Sequence, residues 1–222
     1  MRLFLSFIAL FGMALNINAL DIPEIFGNDM ILQRNTQCKI WGWAEANHYV
    51  RIVTGWDNHC YQVKAGSDGA WKVEVKTPEA SYNTYDITFT EYISDPEKKA
   101  KGNQPIATSV SKDVLIGEVW FCSGQSNMEM PLGGFWNCPV EGANETILES
   151  KKYNRSIRVA TIAKDGKQEP QKMVAGKWEK AEPKNASRFS ACAYYFATTL
   201  TDALDVPVGV INCSWGGSCV EG

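Results

Sequence analysis

Along residues 21 to 110 apolar and polar side chains alternate with a period of two. Trp71, Val73 and Val75 alternate with Lys72, Glu74 and Lys76, and Tyr85, Ile87 and Phe89 alternate with Asp86, Thr88 and Thr90. Each run predicts a strand with one buried and one wet face. Gly66-Ser67-Asp68-Gly69 lies between the strands expected at 59–63 and 71–75 and reads as a hairpin turn. Runs at 30–33, 38–43, 49–53 and 106–110 bring the total to about seven short strands, which suits a β-sandwich. The hydrophilic stretch from Asp95 to Gln104 reads as a loop between the last of them.

After Lys112 the grammar changes. Val114-Leu115-Ile116 and Glu118 to Cys122 make a continuous apolar run ending in Ser123-Gly124-Gln125-Ser126, as a buried parallel strand entering a loop does. Ile157 to Ile162 and Val208 to Ile211 predict further buried strands. Between them Phe189, Ala193, Phe196, Leu200 and Leu204 recur at helical spacing, with Ser187 as cap and Pro207 as stop. Strand, helix, strand in that order predicts an α/β layer. The expected organisation is an all-β sandwich domain at 20–110 and an α/β domain at 111–222, with the boundary near Ser111.

The first nineteen residues carry one charge, Arg2, then an apolar run from Leu3 to Leu15, and end in the small residue Ala19. They read as a secretory signal peptide at 1–19, because the run is shorter than the ~20 residues a bilayer span needs. Export is therefore expected: to the periplasm or medium, or to a lysosome or the cell exterior in a eukaryote, with no membrane attachment after cleavage. Seven cysteines in an exported chain suggest disulfides, but the number is odd and the spacing even. Cys122 and Cys213 lie in apolar runs and read as small buried hydrophobes.

Composition removes classes without naming an activity. Twenty-two basic against 25 acidic residues leave a net charge of −3, with no basic patch for nucleic acid. A hydrophobic fraction of 45% supplies a core. No metal-ligand cluster or phosphate-cradling glycine loop occurs, so no cofactor is implied.

The chemistry concentrates at Gly117-Glu118-Val119-Trp120-Phe121-Cys122-Ser123-Gly124-Gln125-Ser126-Asn127-Met128-Glu129-Met130. A serine just past a buried strand holds its hydroxyl at the carboxyl edge of the sheet, where open α/β folds bind ligands. A helix starting there would aim free N–H groups at a developing oxyanion. The spacing is not the G-x-S-x-G elbow, since Met128 holds the last position. A simple helix cap is the alternative role for Ser126.

This run resembles the signature of the sialate O-acetylesterase family, carbohydrate esterases of the SGNH-hydrolase superfamily. Two more segments are similar: Phe26-Gly27-Asn28-Asp29-Met30-Ile31-Leu32-Gln33-Arg34 with Ile40-Trp41-Gly42-Trp43, and Val206-Pro207-Val208-Gly209-Val210-Ile211-Asn212-Cys213-Ser214-Trp215-Gly216-Gly217. The resemblance implies an SGNH-hydrolase-like, three-layer α/β esterase domain, incomplete here, behind a β-domain. It implies Ser126 as the nucleophile that removes acetyl groups from sugar hydroxyls, on sialic acid, acetylated xylan or another glycan. It further implies Gly217, or Gly216, as an oxyanion N–H donor, with Gln125 and Asn127 holding the serine's turn. A partner beyond the O-acetylated sugar is not implied.

The resemblance also implies a histidine base from an Asp-x-x-His element beyond the second block, and no such element occurs. The two histidines, His48 and His59, fall in the strand pattern and read as structural. The expectation is that these residues are the N-terminal part of a longer esterase, with an open sheet edge and little turnover alone. A competing expectation is a non-catalytic sugar-binding module on the sandwich, using Trp41, Trp43, Trp56 or Trp71 for stacking on sugar rings.

Overall fold

The computed structural model describes residues 20–98, 103–169 and 171–219. The expected leader at 1–19 lies outside the described residues, as do positions 99–102 of the expected loop.

Eleven strands are described: β1 (Leu20–Asp21), β2 (Ile31–Gln33), β3 (Gln37–Ala44), β4 (Tyr49–Thr54), β5 (Cys60–Lys64), β6 (Ala70–Lys76), β7 (Ser81–Tyr92), β8 (Pro105–Gly124), β9 (Ile157–Thr161), β10 (Trp178–Lys180) and β11 (Val208–Ser214). The helices are α1 (Ser126–Glu129), α2 (Ala143–Glu149), α3 (Pro183–Ala186) and α4 (Ala191–Leu204). β1, β3 and β6 form a three-stranded sheet. An eight-stranded mixed sheet runs β10-β9-β11-β8-β7-β4-β5 with β2 beside β8. The alternating runs do bury one face: Ile40, Trp71 and Val75 of the small sheet share a core with Val50, Ile52, Ile87 and Phe89 of the large one. Each such buried side chain contributes roughly 1.5–3 kcal/mol.

Three details depart from the sequence reading. The turn at Gly66–Gly69 closes, with the Gly69 N–H donating to Gly66 O at 3.1 Å, yet it does not make a hairpin. β5 pairs with β4 and β6 with β3, so the turn carries the chain from one sheet to the other. Period two reveals which face is buried and is silent on which strand is the partner.

The helix expected from Phe189 is α4, capped by Ser190, whose hydroxyl accepts the Ala193 N–H at 3.2 Å, and not by Ser187. Its buried stripe is Ala193, Tyr194, Ala197 and Thr201, while Phe196 and Leu204 stay about two-fifths exposed. Small alanines let the helix settle on β9 and β11, and Phe196 turns outward to meet Trp120 edge-on at 5.1 Å.

The third departure is β8 itself. Its twenty residues pass through Ser111, pairing with β7 up to Ile116, with a shift of register between Ser111 and Val114, and with β11 from Glu118 onward. Val114, Leu115 and Ile116 are buried as expected, but Trp120 and Phe121 are 44% and 66% exposed. Among the described residues no strand pairs with the outer edge of β8 beyond Gly117, which leaves this stretch half covered.

The parallel strands β8, β11 and β9 are covered on one face by α4, through Ile157, Val159, Val208 and Val210. On the other face among the described residues the cover is not a helical layer: Phe26, Met30, Ala160 and Trp178 join the core that the two sheets share. An ion cluster around the buried Arg158 fastens this side. Arg158 on β9, 2% exposed, reaches Asp113 Oδ1 at 2.9 Å and also donates to the Asp113 main-chain oxygen. Lys180 on β10 binds the same Asp113 carboxylate and lies 3.2 Å from Asp29. Among the described residues no helix is long and apolar enough to cross a membrane.

Candidate active site

β8 and β11 run parallel to the same edge of the sheet, in register from Val208 opposite Glu118 to Ser214 opposite Gly124. Two loops therefore leave the sheet side by side. One begins α1 at Ser126; the other carries Trp215, Gly216 and Gly217, tied back by the Trp215 N–H donating to Gly124 O at 3.1 Å. Parallel register alone brings two sequence blocks some ninety residues apart into contact.

Ser126 is exposed and is the first helical residue of α1, not its cap; the cap position is held by Gln125. A β-carbon placed on Gly216 would stand 3.5 Å from Ser126 Oγ and 2.7 Å from Glu129 Oε2, so a side chain there would crowd the site. Gly217 has open space around it but adopts φ +82°, a left-handed conformation that suits glycine. Its N–H donates to Gln125 Oε1 at 3.4 Å, and Ser126 Oγ donates to the same oxygen at 3.5 Å. One amide oxygen thus holds the point on which the serine hydroxyl and the glycine N–H converge. Asn127 takes part through its main-chain oxygen, which accepts from the Cys192 thiol at 3.4 Å.

Glu129 is a member of this constellation that the sequence reading missed. Its carboxylate accepts the Gly216 N–H and pairs with Lys164, which follows β9. Lys164 first, and then the Gly216 N–H, hold its pKa below the usual glutamate value. The only sequence signal was a charge between Met128 and Met130 inside an otherwise uncharged turn.

Two hollows meet at Gln125. A cleft of about 820 Å³ is walled by Gln125, Ile162, Lys164, Met173, Val174 and Trp215. A smaller one of about 280 Å³ is lined by Gly124 to Met128 and by Cys192, and Ser126 opens into this one. The polar side chains of Gln125, Ser126 and Asn127 share its lining with Met128 and Cys192, while the larger cleft has the size of a small-molecule site.

The histidines lie elsewhere. His48 Nδ1 is 2.7 Å from Glu91 Oε1, a carboxylate that is fully buried. This pair has the composition of a base and its orienting acid, but Glu91 faces Ala107 near the start of β8, at the far end from Ser126. The His59 ring packs on Tyr61 at 4.5 Å. Of the tryptophans considered for sugar stacking, Trp71 is buried and the Trp56 indole donates to Lys76 O at 3.1 Å. Trp41 is 40% exposed and packs edge-on against Phe26. Among the described residues no cluster of His, Cys, Asp and Glu could hold a metal, and no disulfide joins the cysteines.

The fold as a whole is similar to that of a known carbohydrate acetylesterase. The structure superposes on that of a carbohydrate acetylesterase from Xanthomonas citri with a TM-score of 0.76 and 28% identity, over 91% of this chain and 42% of that one. No family model matches the chain. Its sequence is similar to sialate O-acetylesterases. It is 28% identical to the sialate O-acetylesterase of Homo sapiens over 209 residues, which is 87% of this chain and 36% of that protein. It is 32% identical to that of Mus musculus over 114 residues, 49% of this chain and 20% of that protein. The chain spans little more than a third of the length of the human protein it matches.

Proposed function

We propose that the chain carries the nucleophile and part of the oxyanion site of a carbohydrate O-acetylesterase, acting on O-acetylated sialic acid or a related glycan. The observation that carries this reading is the convergence of Ser126 Oγ and the Gly217 N–H on one oxygen, at 3.5 and 3.4 Å. With Gln125 swung aside, an ester carbonyl placed there would meet a nucleophile and a donor together. Ser126 attacks the acetyl carbon, the sugar hydroxyl leaves, and water releases acetate from the acetyl-enzyme. A serine hydroxyl needs a base to take its proton. Neither His48 nor His59 reaches it, and among the described residues Ser126 Oγ has no hydrogen bond to a group that could act as that acceptor. The chain alone is expected to be near inactive.

Imidazole added to the buffer can stand in for that acceptor, because Ser126 is exposed beside an open hollow. The test is acetate release with imidazole from O-acetylated sialic acid, acetylated xylo-oligosaccharide and p-nitrophenyl acetate, against Ser126→Ala. Release above that control from either sugar supports the reading and names the sugar. Hydrolysis of p-nitrophenyl acetate alone overturns the carbohydrate part of it, and no release from any overturns it whole.

A further inference from the structure

The esterase reading uses Ser126 and Gly217 and leaves Glu129 without a task, although Glu129 is the group that joins their two loops. It sits one helical turn after Ser126 on α1, and its Oε2 accepts the N–H of Gly216, the residue just before Gly217. Its other oxygen, Oε1, pairs with Lys164 from the segment after β9. Thus a single carboxylate ties together the ends of three parallel strands, β8, β11 and β9, at the edge where Ser126 stands. The Gly216 N–H is consequently unavailable to a substrate, which leaves the donor role to Gly217.

We infer that Glu129 is a positioning residue: it holds the Gly216 peptide so that the Gly217 N–H faces the same point as Ser126 Oγ. The inference rests on the esterase reading for its chemistry, but the anchoring itself does not. Three features support it. A charge-assisted bond to a main-chain N–H is stronger than a neutral one and fixes the peptide plane. Gly216 lacks a side chain where the Glu129 oxygen would be displaced, since a β-carbon there would come within 2.7 Å of it. The carboxylate is charged across the neutral range, as any free glutamate is, and Lys164 and the Gly216 N–H lower its pKa further. Lys164 adds little energy, because the pair is partly solvated with side chains 43% and 20% exposed. Its service is to hold the carboxylate in one orientation.

The test compares wild type, Glu129→Ala and Glu129→Gln in the full chain by two readouts. The first is hydrogen exchange of the Gly216 amide by NMR; the second is imidazole-assisted hydrolysis of p-nitrophenyl acetate, corrected by Ser126→Ala. Glu129→Ala is expected to speed Gly216 exchange by about tenfold or more, the loss of one hydrogen bond to a charged acceptor. It is expected to slow the corrected hydrolysis by a similar factor. Glu129→Gln, which keeps an acceptor oxygen, is expected to recover most of both. Unchanged Gly216 exchange in Glu129→Ala overturns the anchor. Faster exchange with unchanged hydrolysis overturns the positioning role. If wild type shows no hydrolysis above Ser126→Ala, the esterase reading fails instead, and Gly216 exchange alone decides whether Glu129 is the anchor. Should Glu129→Ala fail to fold, Glu129→Gln decides: an upfield shift of the Gly216 amide proton supports the bond to the carboxylate, and an unmoved resonance contradicts it.

Discussion

Replacing Asp113 with alanine is expected to lower the folding stability by about 3 kcal/mol, because it leaves the Arg158 guanidinium buried without its counter-charge. Arg158 is 2% exposed and spans from β9 to Asp113 on β8, whose main-chain oxygen it also binds. Those remaining acceptors, and the one-third exposure of the Asp113 side chain, put the loss at the low end of what breaking a buried pair costs. Part of it has a second origin, since Asp113 adopts φ +58°, where alanine is strained and asparagine is not. Asp113→Asn therefore isolates the charge and is expected to lose less. Thermal unfolding reads the difference, about 10 °C for the alanine variant. For Asp113 the largest influence, burial, raises the pKa; Lys180 and Arg158 together outweigh it, and the carboxyl titrates below its ordinary value of 3.8. A carboxyl with a depressed folded value stabilises fully above the ordinary value and loses that contribution as pH falls through the folded one. Wild type and Asp113→Asn are accordingly expected to differ most at neutral pH and to converge in strong acid.

The second large effect falls on the chemistry. With imidazole as external base, Ser126→Ala is expected to abolish the protein-dependent release of acetate, a loss of about a hundredfold against wild type, the scale of base-assisted attack. His48→Ala and His59→Ala are expected to leave that rate unchanged, since both side chains belong to the far part of the structure. His48→Ala is expected to lower stability instead, because Glu91 is fully buried and, among the described residues, His48 and the Glu45 N–H are its hydrogen-bond partners. Separation of rate from stability in these three variants distinguishes a serine at work from a protein that is merely unfolding.

Much of the strand architecture was legible because alternation is a local property. The pairs Trp71 with Val75 and Ile87 with Phe89 declare their buried face in the sequence itself. The route of the chain was less legible. Gly66 to Gly69 form the expected turn, but whether β5 and β6 pair or part depends on strands β3 and β4, which lie earlier in the chain. The cap of α4 shifted from Ser187 to Ser190 for a similar reason. Phe189 is pinned by its main-chain oxygen, which accepts the Leu132 N–H at 2.7 Å, and the helix begins only past that contact.

The site divides in the same way. Ser126 was marked by its place just past a buried strand and, with the Gly216-Gly217 block, by the family resemblance; parallel register brings the two segments together. Glu129 could not be assigned a task, since its partners, the Gly216 N–H and Lys164, are contributed by loops that only the sheet makes neighbours. Arg158 was equally hidden: the run Ile157 to Ile162 reads as a buried strand, and the task of its arginine shows only with Asp113 beside it.

The most direct test of the account is to find where an acetyl group lands. The chain is mixed with p-nitrophenyl acetate and imidazole, quenched in acid and digested, and each peptide is weighed by mass spectrometry. Acetylation centred on Ser126, and absent from that peptide in Ser126→Ala, is the result the account predicts. Acetyl groups confined to Cys192 or to surface lysines, with the Ser126 peptide unmodified, would contradict it.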